Sequence, residues 1–205
     1  MSGVFVWIDQ FKGKALPVSW EALGVARKVA DARGEQVTAV IFGQGLENVV
    51  TLAFHHGADK VVKCEDASLA DFRLEPYAAL LGKVAAGAAA VIVGASTRGR
   101  ELAAAVSVDL DAALLSDVTD VQAAATISAT RPVYAGKVLC NVAAKGGGTV
   151  VITTRSRAFA QPAPDSSRTG EVESVAPALA EGDIPTKVER FEETKGAVNL
   201  ADASI

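Results

Sequence analysis

The segment VTAVIFG, residues 37–43, is a nearly continuous apolar run. Such a run, without polar alternation, is typical of a parallel strand buried on both faces between layers of helices. Before it, apolar residues recur at helical spacing from Trp20 to Val29, and Pro17 stands where a helix can begin. Gly34 predicts the end of that helix in a left-handed cap. The sequence therefore predicts a helix followed by a buried parallel strand.

The alternation of strands and helices extends over the first half of the chain. A β-branched and aromatic run at residues 4–8 predicts a strand before the first helix. Further strands are predicted at 60–63 and 91–94, and further helices at 46–56, 76–86 and 102–110. Strands separated by helices of this length form a parallel sheet with helices on both faces. The predicted fold class is α/β, with a doubly wound and mostly parallel sheet.

The pattern changes after residue 113, because strand-like runs follow one another there without a helix between them. These runs lie at 114–121, 127–133, 137–143 and 150–155. They predict a small antiparallel subsheet added to the parallel one. Residues 134–137 predict a turn, and the glycine-rich residues 145–148 predict a hairpin connection rather than a phosphate-binding loop.

Composition and charge exclude several classes of protein. Of 205 residues, 50% are hydrophobic and 21% charged, so the chain can bury a large core. The net charge of −4 comes from well-mixed charges without a basic face, and we expect no nucleic-acid partner. The longest apolar stretch, 84–95, is too short to cross a bilayer, so we expect no membrane insertion. The start of the chain lacks a secretion pattern, and Cys64 and Cys140 stand far apart, which predicts a cytoplasmic protein with reduced thiols.

Composition also predicts how the chain is divided. Residues 1–160 form the α/β core with its antiparallel addition, and residues 161–175 form an exposed connection rich in proline and serine. Residues 176–193 contain one more edge strand, expected at 184–191. Residues 194–205 are expected to be a linker toward a domain that this sequence does not contain.

The strongest candidate site lies between the strand predicted at 91–94 and the next helix. It consists of Ser96, Thr97, Arg98, Gly99 and Arg100. Free N–H groups and the positive end of a helix dipole suit a phosphate or a carboxylate. Alternatively, a hydroxyl caps the helix, and the arginines pair with Glu101 or with a neighbouring subunit. The stretch has neither the GxxxxGK[ST] nor the GxGxxG spacing. Because a loop arginine buries little surface, we expect Arg98→Ala to leave the fold intact.

Other polar residues are open to two interpretations. Asp9 follows the first strand at the carboxyl edge, where α/β folds bind ligands, but a cap of the next turn explains it better. Arg155 and Arg157 follow the strand predicted at 150–155, and they pair either with an acidic partner surface or with local carboxylates.

No residue pattern predicts catalysis or a metal. His55 and His56 are adjacent on a helix and point about 100° apart, so they cannot chelate one ion, and a favourable charge at the helix end explains them better. Ser116, near Asp117 and Asp120, has no histidine or lysine placed to activate it. We therefore expect neither catalytic nor metal-binding residues.

Four segments together resemble the N-terminal domain of the α subunit of electron-transfer flavoprotein. They are GASTRGREL at 94–102, LDAALLSDV at 110–118, RPVYAGKVL at 131–139 and TTRSRAF at 153–159. The resemblance implies a fold similar to the adenine-nucleotide-binding α/β fold. It also implies a heterodimer with a β subunit, which accepts electrons from acyl-CoA or other dehydrogenases on FAD and passes them to a quinone oxidoreductase or another acceptor. Such a protein is an electron carrier rather than an enzyme.

The resemblance also implies where the flavin is held. In that family a C-terminal domain carries most FAD contacts, and it is absent from this sequence, so we expect no FAD on this chain alone. The family's AMP site belongs to the β subunit, so residues 96–100 are expected to be a vestige or a subunit contact. The alternative is a free-standing adenine-nucleotide-binding module that uses Asp9, Gly94 and residues 96–100.

Overall fold

The computed structural model describes residues 3–124 and 126–192, and the linker predicted at 194–205 lies outside these ranges. The α-helices in these ranges are α1 (Pro17–Arg33), α2 (Glu47–His55), α3 (Leu74–Val84) and α4 (Thr97–Asp109), and short 3-10 helices lie at Ala67–Leu69 and Glu181–Asp183. The first six strands are β1 (Val4–Trp7), β2 (Gln10–Phe11), β3 (Lys14–Ala15), β4 (Val37–Gly43), β5 (Lys60–Glu65) and β6 (Ala90–Gly94). The others are β7 (Ala113–Val118), β8 (Asp120–Ala123), β9 (Ile127–Val133), β10 (Val138–Ala143), β11 (Val150–Thr154) and β12 (Glu171–Ser174).

The main sheet has seven parallel strands in the order β12-β5-β4-β1-β6-β11-β7. Side chains of the central strand β1 alternate between two apolar clusters, because successive residues of a strand point to opposite faces. Val4, Val6 and Ile8 join α1 and α2 on one face. Phe5 and Trp7 join α3 and α4 on the other. The predicted doubly wound α/β fold is confirmed.

The first helix and the strand after it form as predicted. Pro17 occupies the first turn of α1, where a missing N–H costs nothing. Gly34 ends the helix with φ +66°, a left-handed conformation that glycine adopts without a steric penalty. The strand β4 covers Val37–Gly43 and is buried along its whole length. Local sequence therefore determines both boundaries.

The helix α4 begins at Thr97, whereas periodicity placed its start at residue 102. Its first turn is polar, so no apolar spacing marks it. Ser96 is the N-cap, and its Oγ accepts a hydrogen bond from the Gly99 N–H at 2.9 Å. The candidate stretch is therefore a cap and a helical turn instead of an open loop.

The second half of the chain divides its strands between two sheets. The strands β8, β9 and β10 form the predicted antiparallel subsheet, and residues 134–137 turn between the last two. The predicted hairpin at 145–148 is wrong, because β10 lies in the small sheet and β11 lies between β6 and β7 in the main one. A local turn pattern cannot show which sheet the next strand joins.

The edge strand of the main sheet is β12, which lies inside the connection predicted at 161–175. The strand expected at 184–191 is wrong, since residues 184–192 contain no strand. All four β12 residues are exposed, so the segment lacks the apolar pattern of a strand. Pairing with β5 holds it, together with Lys60, whose Nζ lies 2.7 Å from a Glu173 carboxylate oxygen.

Residues 155–170, here called the strap, connect β11 to β12 across the face that carries α1 and α2. The Asp165 N–H donates to the His55 carbonyl at 2.9 Å. The His56 ring stacks on Trp20 with centroids 4.6 Å apart, and its Nδ1 lies 2.9 Å from the Pro162 carbonyl oxygen. His56 thus joins the strap to α1, a contact that the helix-end interpretation did not include.

Replacing His56 with alanine is expected to loosen the strap and to lower the free energy of unfolding by about 1.5 kcal/mol, because a ring stack and a hydrogen bond are lost. Urea unfolding followed by circular dichroism measures the loss. The control is His55→Ala, whose side chain makes no hydrogen bond or ion pair with the described residues and which should change stability by less than about 0.5 kcal/mol. Equal losses in the two variants would contradict this role of His56.

Candidate functional site

The site lies at the carboxyl edge of the main sheet, where β1 and β6 end side by side. Their parallel register pairs Trp7 with Val93, so Asp9 and Ser96 emerge next to each other. Ligands of α/β folds bind at this edge. The candidate residues Ser96–Arg100 therefore lie beside Asp9, although they are far from it in the sequence.

Asp9 is buried, with a side chain only 1% exposed, and polar groups of this chain surround it. Ser96 Oγ donates to one carboxylate oxygen at 2.6 Å, and a terminal nitrogen of Arg98 lies 2.6 Å from the other. The Asp9 backbone N–H donates to Ser19 Oγ at 2.9 Å, and the Ser19 hydroxyl donates to the Asp9 carbonyl at 3.1 Å. Asp9 is thus a structural centre of this edge.

Burial raises the pKa of Asp9 above its usual value, because removal from water disfavours the charged form. The hydrogen bond from Ser96 and the charge of Arg98 lower the pKa but do not cancel the effect of burial. Arg98 is therefore the cation that makes a buried carboxylate tolerable here.

The expectation that Arg98→Ala leaves the fold intact does not fit this geometry. Arg98 lies in the first turn of α4, and its guanidinium pairs with a buried carboxylate. The expected pairing with Glu101 or a neighbouring subunit gives way to pairing with Asp9. Removing Arg98 would leave Asp9 in the interior without its counter-ion.

Gly99 has a packing role at the same edge. A Cβ on Gly99 would collide with the carbonyl oxygen of Gly94 and would lie 3.0 Å from a methyl group of Val93. The first turn of α4 therefore packs on the end of β6 with no room for a side chain. Thr97 and Arg100 are exposed.

A cleft of about 440 Å³ lies beside these residues. Thr97, Arg98 and Arg100 line one side of it, and Glu21 and Arg157 line it as well. Glu21 is buried in α1, and its carboxylate accepts a hydrogen bond from the Arg157 N–H at 2.7 Å. Burial raises the pKa of Glu21, while the hydrogen bonds from the backbone of residues 157–159 lower it. No sequence signal marked Glu21, since an isolated glutamate in a helix is ordinary.

Asp117 and Arg155 form an ion pair at the neighbouring strand ends. Asp117 lies at an irregularity in the pairing of β7 with β11, with φ +57°, and its N–H donates to Thr153 Oγ1 at 2.7 Å. Two Arg155 nitrogens reach its two carboxylate oxygens at 3.1 and 2.5 Å. The hydrogen bond from Arg155 lowers the pKa of Asp117. Of the two interpretations of Arg155, the structure supports pairing with a local carboxylate.

In the stretch 96–100, two of the groups predicted to bind a phosphate or a carboxylate have a partner within this chain. A carboxylate of this chain already engages Ser96 Oγ and Arg98, and Ser96 Oγ accepts from the Gly99 N–H as well. Asp9 therefore engages two of the groups that the sequence predicted for a ligand.

Other chemistry finds little support among the described residues. Histidine, cysteine, aspartate and glutamate side chains form no group of three there that could hold a metal ion. Cys64 is a buried free thiol, and burial raises its pKa to about 11, so it stays protonated. Within the same residues, no helix combines the length and the apolar character of a membrane span.

Comparison with known proteins places this fold in a family. A family model described as an electron transfer flavoprotein domain matches residues 4–180. A protein FixB of Azotobacter vinelandii is 34% identical over 212 residues, which cover 98% of this chain and 59% of that protein. An electron transfer flavoprotein subunit alpha of Megasphaera elsdenii is 31% identical over 209 residues, which cover 99% of this chain and 62% of that protein.

The chain thus spans about 60% of the length of these curated relatives. The family match covers the main sheet as far as β12 and the whole antiparallel subsheet. The resemblance drawn from the four sequence segments is confirmed. This chain belongs to the electron transfer flavoprotein family, and its Megasphaera elsdenii relative is an alpha-type subunit.

Proposed function

We propose that this chain is the N-terminal scaffold domain of an alpha-type electron transfer flavoprotein subunit. With a beta-type subunit, the complete protein accepts electrons from acyl-CoA or other dehydrogenases and passes them to a quinone oxidoreductase or another acceptor. It acts as an electron carrier in the cytoplasm. The observation that carries this proposal is the internal pair of Asp9 and Arg98, which engages a cation that a nucleotide at this edge would use.

The flavin belongs, in this proposal, to the part of the relatives that this chain does not span. FAD supplies the redox chemistry of such a protein. In this proposal, the residues of this chain position the flavin-binding part and do not take part in the redox step. Asp9, Ser96 and Arg98 lock α4 to the strand ends, and Glu21 fixes residues 157–159. A rigid edge is a suitable base for a second domain.

The surface that we assign to the beta-type subunit is the hairpin of β9 and β10. Tyr134 is 79% exposed, Leu139 67% and Val138 46%, so three large apolar side chains of this hairpin are exposed to solvent. The outer edge of β10 pairs with no other strand among the described residues. Apolar side chains beside an open strand edge are typical of a protein interface.

Replacing Leu139 with aspartate is expected to weaken association with the co-expressed beta-type subunit by at least about tenfold, because a charge enters the interface. The control is Val108→Asp on α4, since Val108 is 79% exposed and lies outside the hairpin. Co-purification and analytical ultracentrifugation measure the complex. Equal binding of the two variants would refute the assignment of this surface.

Calorimetry of the isolated chain separates this function from a free-standing adenine-nucleotide module. We expect no saturable binding of AMP or ATP, because Asp9 holds Ser96 and Arg98. Micromolar binding of either nucleotide would favour the module instead. If the isolated chain purified yellow with stoichiometric flavin, our placement of FAD would be wrong.

A further inference from the structure

A second cavity lies at the amino end of the main sheet, opposite the site described above, and has a volume of about 350 Å³. Its floor is a continuous piece of sheet. The strand registers place Phe5 beside Thr38, and Thr38 beside Lys60. Val62 and Glu173 form the next part of the floor, because β5 and β12 pair there.

The cavity exists because helices cover only part of this face. The last turns of α3 contribute Leu80, Lys83 and Val84 to one wall. Val175 and Ala176, which follow β12, form the opposite wall. A space of ligand size remains between α3 and the segment that follows the edge strand β12.

The polar groups of the cavity are few and unequal. The Lys60 ammonium lies 2.7 Å from Glu173 and 3.3 Å from Glu171, so two carboxylates more than offset its charge. Lys83 makes no ion pair or hydrogen bond with any described residue. The Thr38 hydroxyl has no hydrogen-bond partner among them either, although Thr38 is only 7% exposed. The cavity therefore combines apolar walls, one unpaired positive charge and one unpaired hydroxyl.

We propose that this cavity binds a small monoanion with an apolar body, such as an aromatic carboxylate. The apolar body packs on Phe5, Val62 and Leu80, and the anionic group lies at Lys83. The charge argument rests on Lys83, which is the lining cation that forms no ion pair with a described residue. This site is independent of the partner surface on β9 and β10.

The test is a calorimetric titration of the full chain with naphthoate and, separately, with the cation naphthylmethylamine. We expect saturable binding of one naphthoate per chain, and at least about fivefold weaker binding of the amine, since the charges differ in sign at Lys83. The nuclear magnetic resonance signals of Thr38 and Val175 should shift during the naphthoate titration. Absence of saturable binding, or equal binding of the two compounds, would overturn the proposal.

Three variants locate the bound molecule. Lys83→Gln should weaken naphthoate binding about fivefold, whereas Lys137→Gln, which removes an exposed lysine from the turn between β9 and β10, should leave it unchanged. Val62→Phe fills the cavity from its floor and should abolish binding, while circular dichroism and the melting temperature show a folded protein. Equal effects of the two lysine variants, or unchanged binding to a folded Val62→Phe protein, would refute the site.

Discussion

Replacing Arg98 with alanine is expected to lower the free energy of unfolding by about 3 kcal/mol at neutral pH, because it leaves a buried carboxylate without its cation. The Asp9 side chain is 1% exposed, so water cannot replace the lost partner. The Ser96 hydroxyl remains as a donor but carries no charge. Urea unfolding followed by circular dichroism measures the loss.

The control for this variant is Arg100→Ala in the same helical turn. Arg100 is exposed and forms no ion pair with the described residues, so its removal should change stability by less than about 0.5 kcal/mol. A double variant, Arg98→Ala with Asp9→Asn, should recover part of the loss, since no charge is then buried. Equal stability of the two arginine variants would contradict the role of the pair.

The loss in Arg98→Ala should also depend on pH. Burial already raises the pKa of Asp9 in the folded protein, and removal of Arg98 raises it further. A carboxyl group with a raised folded pKa stabilises the fold below its unfolded pKa, and that contribution is lost as the pH rises through the folded value. The difference in stability from the natural protein should therefore be largest at neutral pH and shrink in acid. A difference that grew in acid would contradict it.

Replacing Gly99 with alanine is expected to cost about 3 kcal/mol, because the new Cβ would collide with the Gly94 carbonyl oxygen. In an ordinary helix the same replacement stabilises the protein by up to about 1 kcal/mol, so a loss of stability here has the opposite sign. To relieve the collision, α4 must move away from β6, which also disturbs the hydrogen bond between Ser96 and Asp9.

Thermal unfolding of Gly99→Ala measures this cost, and Gly147→Ala is its matched control. A Cβ on Gly147 would have no described atom within 4 Å, and the backbone of Gly147 has an ordinary conformation. Its replacement should shift stability by less than about 0.5 kcal/mol. A Gly99→Ala protein that melts with or above the natural chain would show that the close approach of α4 to β6 is not required.

The sequence predicted best those features that depend on neighbours along the chain. The strand β4 and the helix α1 have the expected bounds, because an apolar run, a proline and a capping glycine are local signals. The start of α4 was missed because its first turn is polar. The strand β12 was missed because all its residues are exposed and only its pairing with β5 holds it.

The sequence predicted the position of the candidate site but not the contacts between its side chains. Residues 96–100 do lie at the carboxyl edge beside Asp9, as the alternative of a nucleotide-binding module grouped them. Sequence could not show that Arg98 turns toward Asp9, since the two residues meet only when β1 and β6 pair. The role of Glu21 depends on a backbone segment far along the chain. Side-chain pairing across the sheet therefore decides the chemistry here.

The position of β12 has a consequence for synthesis of the protein. Of the described strands of the main sheet, β12 is synthesised last. It pairs with β5, which leaves the ribosome much earlier. Until residues 171–174 emerge, β5 is an unpaired edge strand of the nascent chain, and such an edge promotes aggregation. Before β12 pairs with it, β5 carries the charges of Lys60 and Lys63, and charged side chains on an edge strand oppose aggregation. A chaperone that shields β5 would be needed most in that interval.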